Sequence, residues 1–141
     1  MRRRVFLAAA AGTLGSLSVF GGAAAEISVL GTGEFRDGDP NHRGSGNLRI
    51  SRADSGARNV ELLGMQIVPG PDLFVYLVAD PDPLFPEDVT ANFLSLGKLK
   101  SLTGDQSYAI PANVGLAAWG SVVVWCETFK TAFAVATIEL R

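Results

Sequence analysis

The sequence predicts an all-β domain: an antiparallel sandwich or barrel-like fold of about seven to nine short strands with little helix. Three observations predict it. Apolar residues recur in short runs with strand periodicity or β-branched composition. Clusters of Gly, Pro, Asp and Asn separate those runs. Helical periodicity is nearly absent, and short strands between turn clusters indicate a sandwich or a barrel.

The runs appear in order along the chain. NLRISR (47–52) alternates Leu48 and Ile50 with polar neighbours, and NVELL (59–63) does the same with Val60 and Leu62. LFVYLVA (73–79) and SVVVWC (121–126) are unbroken apolar runs, while TAFAVATIEL (131–140) is long and alternating. Between them lie DGDPNHRGSG (37–46), RADSG (52–56), VPGPD (68–72), DPDPLFPED (80–88) and TGD (103–105), each with turn chemistry. NVGLAAWG (113–120) has room for one helical turn, with Asn113 as its cap and Gly120 as its stop. In DPDPLFPED, Asp80, Asp82, Glu87 and Asp88 are oxygen ligands of the type calcium uses. Their spacing follows no calcium loop and three prolines stiffen the segment, so a solvated loop is expected.

The N-terminus, MRRRVFLAAAAGTLGSLSVFGGAAAE, places three arginines before an uncharged stretch that ends in Ala23-Ala24-Ala25. That is the order of a secretory signal: a charged start, an apolar middle and a small-residue cleavage site. Residues 1–25 are expected to be a signal peptide and 26–141 a single domain. Arg3-Arg4-Val5-Phe6-Leu7 resembles the twin-arginine (Tat) export signal, with Arg2 where Ser or Thr is usual. A Sec signal with a basic start is the other route. The expected location is therefore periplasmic or extracellular. No cysteine follows the cleavage site, which argues against a bacterial lipid anchor.

Cleavage after Ala25 leaves 116 of the 141 residues, enough for one domain without staples. Loss of Arg2, Arg3 and Arg4 takes the 12 basic residues to nine against 14 acidic ones, a net charge of about −5. No basic stripe remains, so no nucleic-acid partner is expected. No later stretch is apolar and long enough to cross a bilayer as a helix, so no stable membrane span is expected after signal cleavage.

Elimination leaves few sites for chemistry. The chain has one histidine, His42, and one cysteine, Cys126. A Ser-His-Asp triad would have to use His42, and no Gly-x-Ser-x-Gly elbow accompanies it. A four-ligand zinc site and a two-histidine blue-copper site lack residues. The Cys-x-x-Cys-His motif of covalent c-type haem is absent, as is a phosphate-binding Gly-rich loop. Two roles for Cys126 survive: thiolate ligand to haem or another metal, or bare redox thiol. His42 or Met65 is the candidate second ligand, since His, Met and Cys all ligate haem iron. Against these stands plain packing, because free cysteine is among the most buried residue types. His42 has an equally plain alternative, as a loop residue that caps a turn.

Strand parity sharpens the choice. Val122, Val124 and Cys126 share one face of their strand; Val123, Trp125 and Glu127 share the other. A sandwich strand turns one face to the core. Both faces here are apolar up to Glu127, so a loop, another chain or a cofactor must cover the second.

Taken together the motifs resemble the DM-thirteen domain, also called the electron-transfer DM domain. The likeness starts at Gly33-x-Phe35, His42, and Gly44 and Gly46 before the strand Leu48-Arg49-Ile50. It continues through Pro71-Asp72-Leu73-Phe74-Val75-Tyr76-Leu77, Leu96-Gly97-Lys98-Leu99-Lys100, Gly104-Asp105-Gln106-Ser107-Tyr108 and Ile110-Pro111. It ends with Ser121-Val122-Val123-Val124-Trp125-Cys126, Phe129, Phe133 and Ala136. It covers nearly all of residues 31–140, and its blocks are specific in combination. The resemblance implies a β-sandwich-like domain, found beside DOMON domains in animal proteins and as small exported bacterial proteins. It implies a role in electron transfer, with the cysteine at Cys126 acting as a free thiol or binding a prosthetic group such as haem. His42 also falls on a family position.

The expected function is therefore an exported redox or electron-transfer module centred on Cys126, with a redox partner or a cell-surface protein as its partner. The competing reading is an adhesion or binding module that presents loops 37–46 and 80–88, with Cys126 in the core. Either is favoured over a stand-alone enzyme, because no nucleophile–base pair is visible. An exposed Cys126 would be expected to cross-link copies in an oxidising compartment.

Overall fold

The computed structural model describes residues 27–141; the signal segment expected at 1–25 lies outside the described residues. The chain forms β1 (Ile27–Asp37), β2 (Gly44–Ala53), β3 (Arg58–Ile67), β4 (Leu73–Val78), α1 (Pro86–Thr90), β5 (Phe93–Lys98) and β6 (Thr103–Ile110). A single 3₁₀ turn (Leu116–Ala118) leads to β7 (Ser121–Cys126), β8 (Thr131–Thr137) and β9 (Glu139–Leu140).

All neighbours are antiparallel, and the order is β5-β4-β7-β8-β1-β2-β3-β6, with β9 on β1. The all-β expectation holds in both its forms, because β1 belongs to two sheets. Its length pairs with β2, while Arg36 and Asp37 turn to pair with Val135 and Ala134 of β8. The result is a nearly closed, barrel-like sheet. At the remaining seam β5 and β6 do not pair strand to strand. The Lys100 amide donates to the Tyr108 hydroxyl at 2.8 Å, and the Lys100 ammonium donates to the Ser107 carbonyl.

β1 carries two glycines that weaken its strand signature, yet one of them is what lets the barrel close. A β-carbon on Gly33 would collide with the Thr137 carbonyl. Two corrections concern helix. The turn expected at 113–120 is a 3₁₀ turn that starts after Gly115 and not at Asn113. The 80–88 segment is more than a solvated loop, because it leads into α1. Pro86 occupies the first turn, where its missing N–H costs nothing. The Asp88 carboxylate accepts from the amides of Leu84 and Phe85 at 3.1 and 3.0 Å. Asp82 pairs with Arg36 at 2.7 Å. The long 131–140 run is interrupted at Ile138, which divides β8 from β9.

The barrel interior holds the main core, including Leu48, Ile50, Val60, Leu62, Leu77, Val122, Val124, Cys126 and Phe133. A second apolar cluster lies on the outer face of β4, β7 and β8: Tyr76, Val78, Val123, Trp125 and Val135. Its cover comes from the chain itself. Val89 of α1 packs into that cluster and is buried. This answers the parity question: Cys126 faces inward, and a loop with one helical turn covers the other face. No helix among the described residues is long and apolar enough to cross a membrane.

Candidate functional site

The β7–β8 hairpin sets the geometry at one end of the barrel. Cys126 closes β7 opposite Thr131, leaving Glu127–Lys130 as a four-residue connection. Lys130 takes a positive φ of 54°, which is uncommon for a residue with a side chain. This tight return brings the Phe129 amide back to the Cys126 sulfur, donating to Sγ at 3.4 Å. Cys126 also lies opposite Leu73 of β4 and has no solvent exposure. Its sulfur is a buried acceptor with one backbone donor.

His42 arrives from the β1–β2 connection. That turn is closed by the His42 amide on the Asp39 carbonyl at 3.1 Å and the Gly38 amide on the His42 carbonyl at 3.0 Å. Within it His42 Nδ1 lies 2.8 and 2.9 Å from the two Asp39 carboxylate oxygens. Burial pushes the Asp39 carboxyl up, but hydrogen bonds from His42 and the Asn41 amide outweigh it and hold the group below the ordinary carboxylate range. The imidazole stacks on Phe133, with ring centroids 4.5 Å apart, and lies 6.3 Å from the Phe129 ring. Thr131 Oγ1 completes the contact by donating to Asp39 at 3.4 Å.

The sequence-predicted residues therefore divide. His42 and Cys126 lie at one end of the barrel on either side of Phe129, whose ring is tilted towards His42 and whose amide donates to Cys126. No hydrogen bond joins the two side chains. Met65 is held elsewhere: it sits on β3 opposite Gly104 of β6, with its sulfur packed over Gly46 of β2. Among the described residues no three His, Cys, Asp or Glu side chains converge as a metal site would.

Haem does not fit around Cys126 as it is packed. The sulfur points into a filled barrel interior beside Val124 and Phe133, both without solvent exposure. A ligand of that size needs a concave pocket of several hundred Å³ against the ligating atom. Five of the clefts along the described surface, with volumes from about 180 to about 730 Å³, are lined by none of Cys126, His42 and Met65.

Sequence reasoning missed a second constellation on the other face of β7. Glu127 Oε1 accepts from the Tyr76 hydroxyl at 3.1 Å and from the Trp125 indole N–H at 3.2 Å. Its other oxygen pairs with Lys130 at 2.5 Å. Tyr76 stacks on Phe93 with centroids 4.4 Å apart and lies 6.1 Å from Trp125. Burial, reinforced by the Glu127 hydrogen bond, pushes the Tyr76 hydroxyl up to about 12. Lys130, then Tyr76, holds Glu127 below the ordinary carboxylate range. The signal was present in the alternation: Phe74 and Tyr76 share a face of β4, and Glu127, one residue past β7, falls on the same side as Trp125. Only the pairing of β4 with β7 makes them neighbours.

No curated protein and no solved structure matches the chain. The model of the family described as Electron transfer DM13 matches residues 34–138, a span that takes in His42, Tyr76, Trp125 and Cys126, and the chain belongs to that family.

Proposed function

We propose that this domain is an exported redox module that exchanges electrons through the buried Cys126 thiol, without haem on the sulfur. The observation that carries the reading is the sulfur's setting: a single cysteine on a strand within the electron-transfer family span, with the Phe129 amide directed at it. Burial limits what the thiol can do. Thiol–disulfide exchange requires direct attack on sulfur, which the packing blocks. Electron exchange needs no such contact, so the two chemistries separate: a one-electron oxidant takes one electron from the sulfur, the S–H bond breaks with its proton released to water, and a thiyl radical remains until one electron from a reductant and one proton restore the thiol. His42, clamped by Asp39 and the phenylalanine rings, is the positioned neighbour of the hairpin and shapes the field around it.

Protein-film voltammetry on the mature protein tests this. The expected result is a redox signal that disappears in Cys126→Ser and persists in His42→Gln with a shifted potential. An unchanged signal in Cys126→Ser, or none in the wild type, overturns it. Export is tested in the protein's own host. The mature N-terminus should begin at Glu26, and Arg3→Lys with Arg4→Lys should block secretion if the twin-arginine route is used.

A second reading is supported by the full burial of Cys126 and by the exposed Leu84 and Phe85 before α1, at 66% and 65%. In it the domain is an extracytoplasmic binding module, and Cys126 is core. A silent voltammogram together with a partner lost in Leu84→Ser/Phe85→Ser would favour it.

A further inference from the structure

The outer face of β4 and β7 holds a group that the thiol reading does not use. The chain has two tyrosines and two tryptophans. One of each, Tyr76 and Trp125, donates to the same oxygen of the same carboxylate. Tyr108 instead donates to the Gln106 amide oxygen and has no carboxylate partner among the described residues. Buried Tyr and Trp usually find a hydrogen-bond partner for their polar tips. A glutamine would satisfy these two donors equally well. What a carboxylate adds is the ability to take a proton: beside the Lys130 ammonium Glu127 is held in its ionised form, a weaker base than a free glutamate but still one with a lone pair to accept the proton.

We propose that Tyr76, Trp125 and Glu127 form a second one-electron site, in which Tyr76 gives up an electron while its phenolic proton passes to Glu127. The inference rests on the electron-transfer reading but not on Cys126. The balance is simple. A high-potential one-electron oxidant, such as an oxidised metal complex, takes one electron from Tyr76 or from Trp125. Where Trp125 is oxidised first, its radical cation takes an electron from Tyr76 and returns to neutral indole. In either case the Tyr76 O–H bond breaks, and the proton crosses the 3.1 Å hydrogen bond to Glu127 Oε1. The products are a neutral tyrosyl radical and a neutral carboxylic acid. One electron from a reductant, with return of the same proton, restores the start.

Three features suit this chemistry. The phenol remains protonated at neutral pH, so electron loss has to be coupled to proton loss. The acceptor lies within hydrogen-bond reach of the proton it takes. The pair is also one ring from solvent, because Phe93, 41% exposed, stacks on Tyr76 and gives an oxidant an edge to approach. Trp125 adjoins Cys126 in sequence while facing the opposite side of the sheet, so the two sites lie on either side of one strand.

The test is flash photolysis of the full chain with ruthenium(III) polypyridyl generated in solution as oxidant, following tyrosyl and tryptophanyl absorption. The wild type and Tyr108→Phe should form a tyrosyl radical with a slower rate in D₂O. Tyr76→Phe should lose the tyrosyl signal and leave a longer-lived tryptophanyl one. Glu127→Gln, which keeps the hydrogen bonds but takes no proton, should slow tyrosyl formation at least tenfold. Tyrosyl formation in Glu127→Gln at the wild-type rate overturns the proposal, as does a signal that survives Tyr76→Phe and vanishes in Tyr108→Phe. Cys126→Ser should leave this signal intact, so failure here and failure of the thiol reading are told apart.

Discussion

The imidazole of His42 lies face to face with the ring of Phe133, 4.5 Å between centroids, and this stack ties the β1–β2 turn to the β7–β8 hairpin. Phe133 is fully buried, so Phe133→Ala should cost about 3–5 kcal/mol in urea unfolding. His42→Ala should cost less, and the double-mutant cycle should return a coupling of roughly 0.5–1.5 kcal/mol. Additive effects would show that the stack does not fasten the two turns together.

The sulfur of Cys126 is shielded, so a thiol reagent should label it only as fast as the hairpin opens. Labelling should be slow in buffer and complete in denaturant. Non-reducing gels should show monomer, in place of the cross-linked dimer expected for an exposed thiol. Cys126→Ala should be tolerated better than Cys126→Ser, because a buried hydroxyl with incomplete partners costs about 1–3 kcal/mol. Chemical denaturation of the two variants measures the order.

Gly46 is a position where no side chain fits. Its φ is +138°, and a β-carbon there would meet the Met65 sulfur. Gly46→Ala should destabilise by about 1–3 kcal/mol from overpacking alone, with backbone strain in addition. Met65→Ala should cost less in that background than in the wild type, read as the coupling in a double-mutant cycle.

The outer cluster depends on α1 for its cover. Val89→Ala should cost roughly 1–3 kcal/mol, given a fully buried valine. Val89→Asp should cost more and should increase binding of a hydrophobic dye, because Val78, Val123 and Val135 lose their lid.

Alkaline titration isolates Tyr76. Its hydroxyl is raised to about 12 by burial and by Glu127, so the protonated form is the one the fold favours. The stabilising difference is present below the ordinary tyrosine value of about 10 and is lost as pH rises towards 12. In Tyr108→Phe, the tyrosinate absorbance should rise near pH 12 rather than near 10. Glu127→Gln should bring the midpoint down. A midpoint near 10 in Tyr108→Phe would mean that neither the burial of Tyr76 nor its contact with Glu127 holds in solution.

The strands legible in the sequence were those whose side chains announce a buried face. Leu48 and Ile50, Val60 and Leu62, and the valines of 121–126 all point where alternation says they should. β1 is hidden by Gly31 and Gly33, the second of which admits the neighbouring backbone at Thr137. β5 and β6 are edge strands with many exposed residues, so their apolar signal is thin. α1 is too short for helical periodicity and sits in a proline-rich stretch that reads as a turn. The site was half legible. His42 and Cys126 stood out by scarcity, but their placement at one end of the barrel depends on β1 pairing with β8, a contact between distant parts of the chain. Met65 had the right chemistry and the wrong strand. Glu127 was read as the residue that ends an apolar run, and its role appears only when Tyr76 is brought across from β4.

The pairing of β9 with β1 has one more consequence. The Arg141 amide donates to the Leu30 carbonyl at 2.9 Å, so the end of β9 lies beside the N-terminal part of β1. Gly56, in the turn between β2 and β3, has open space around it. A circular permutant joined through a short linker between residues 27 and 141, and opened at Gly56, would keep every ladder of the sheet. The order in which the strands are synthesised is then separable from the architecture they build.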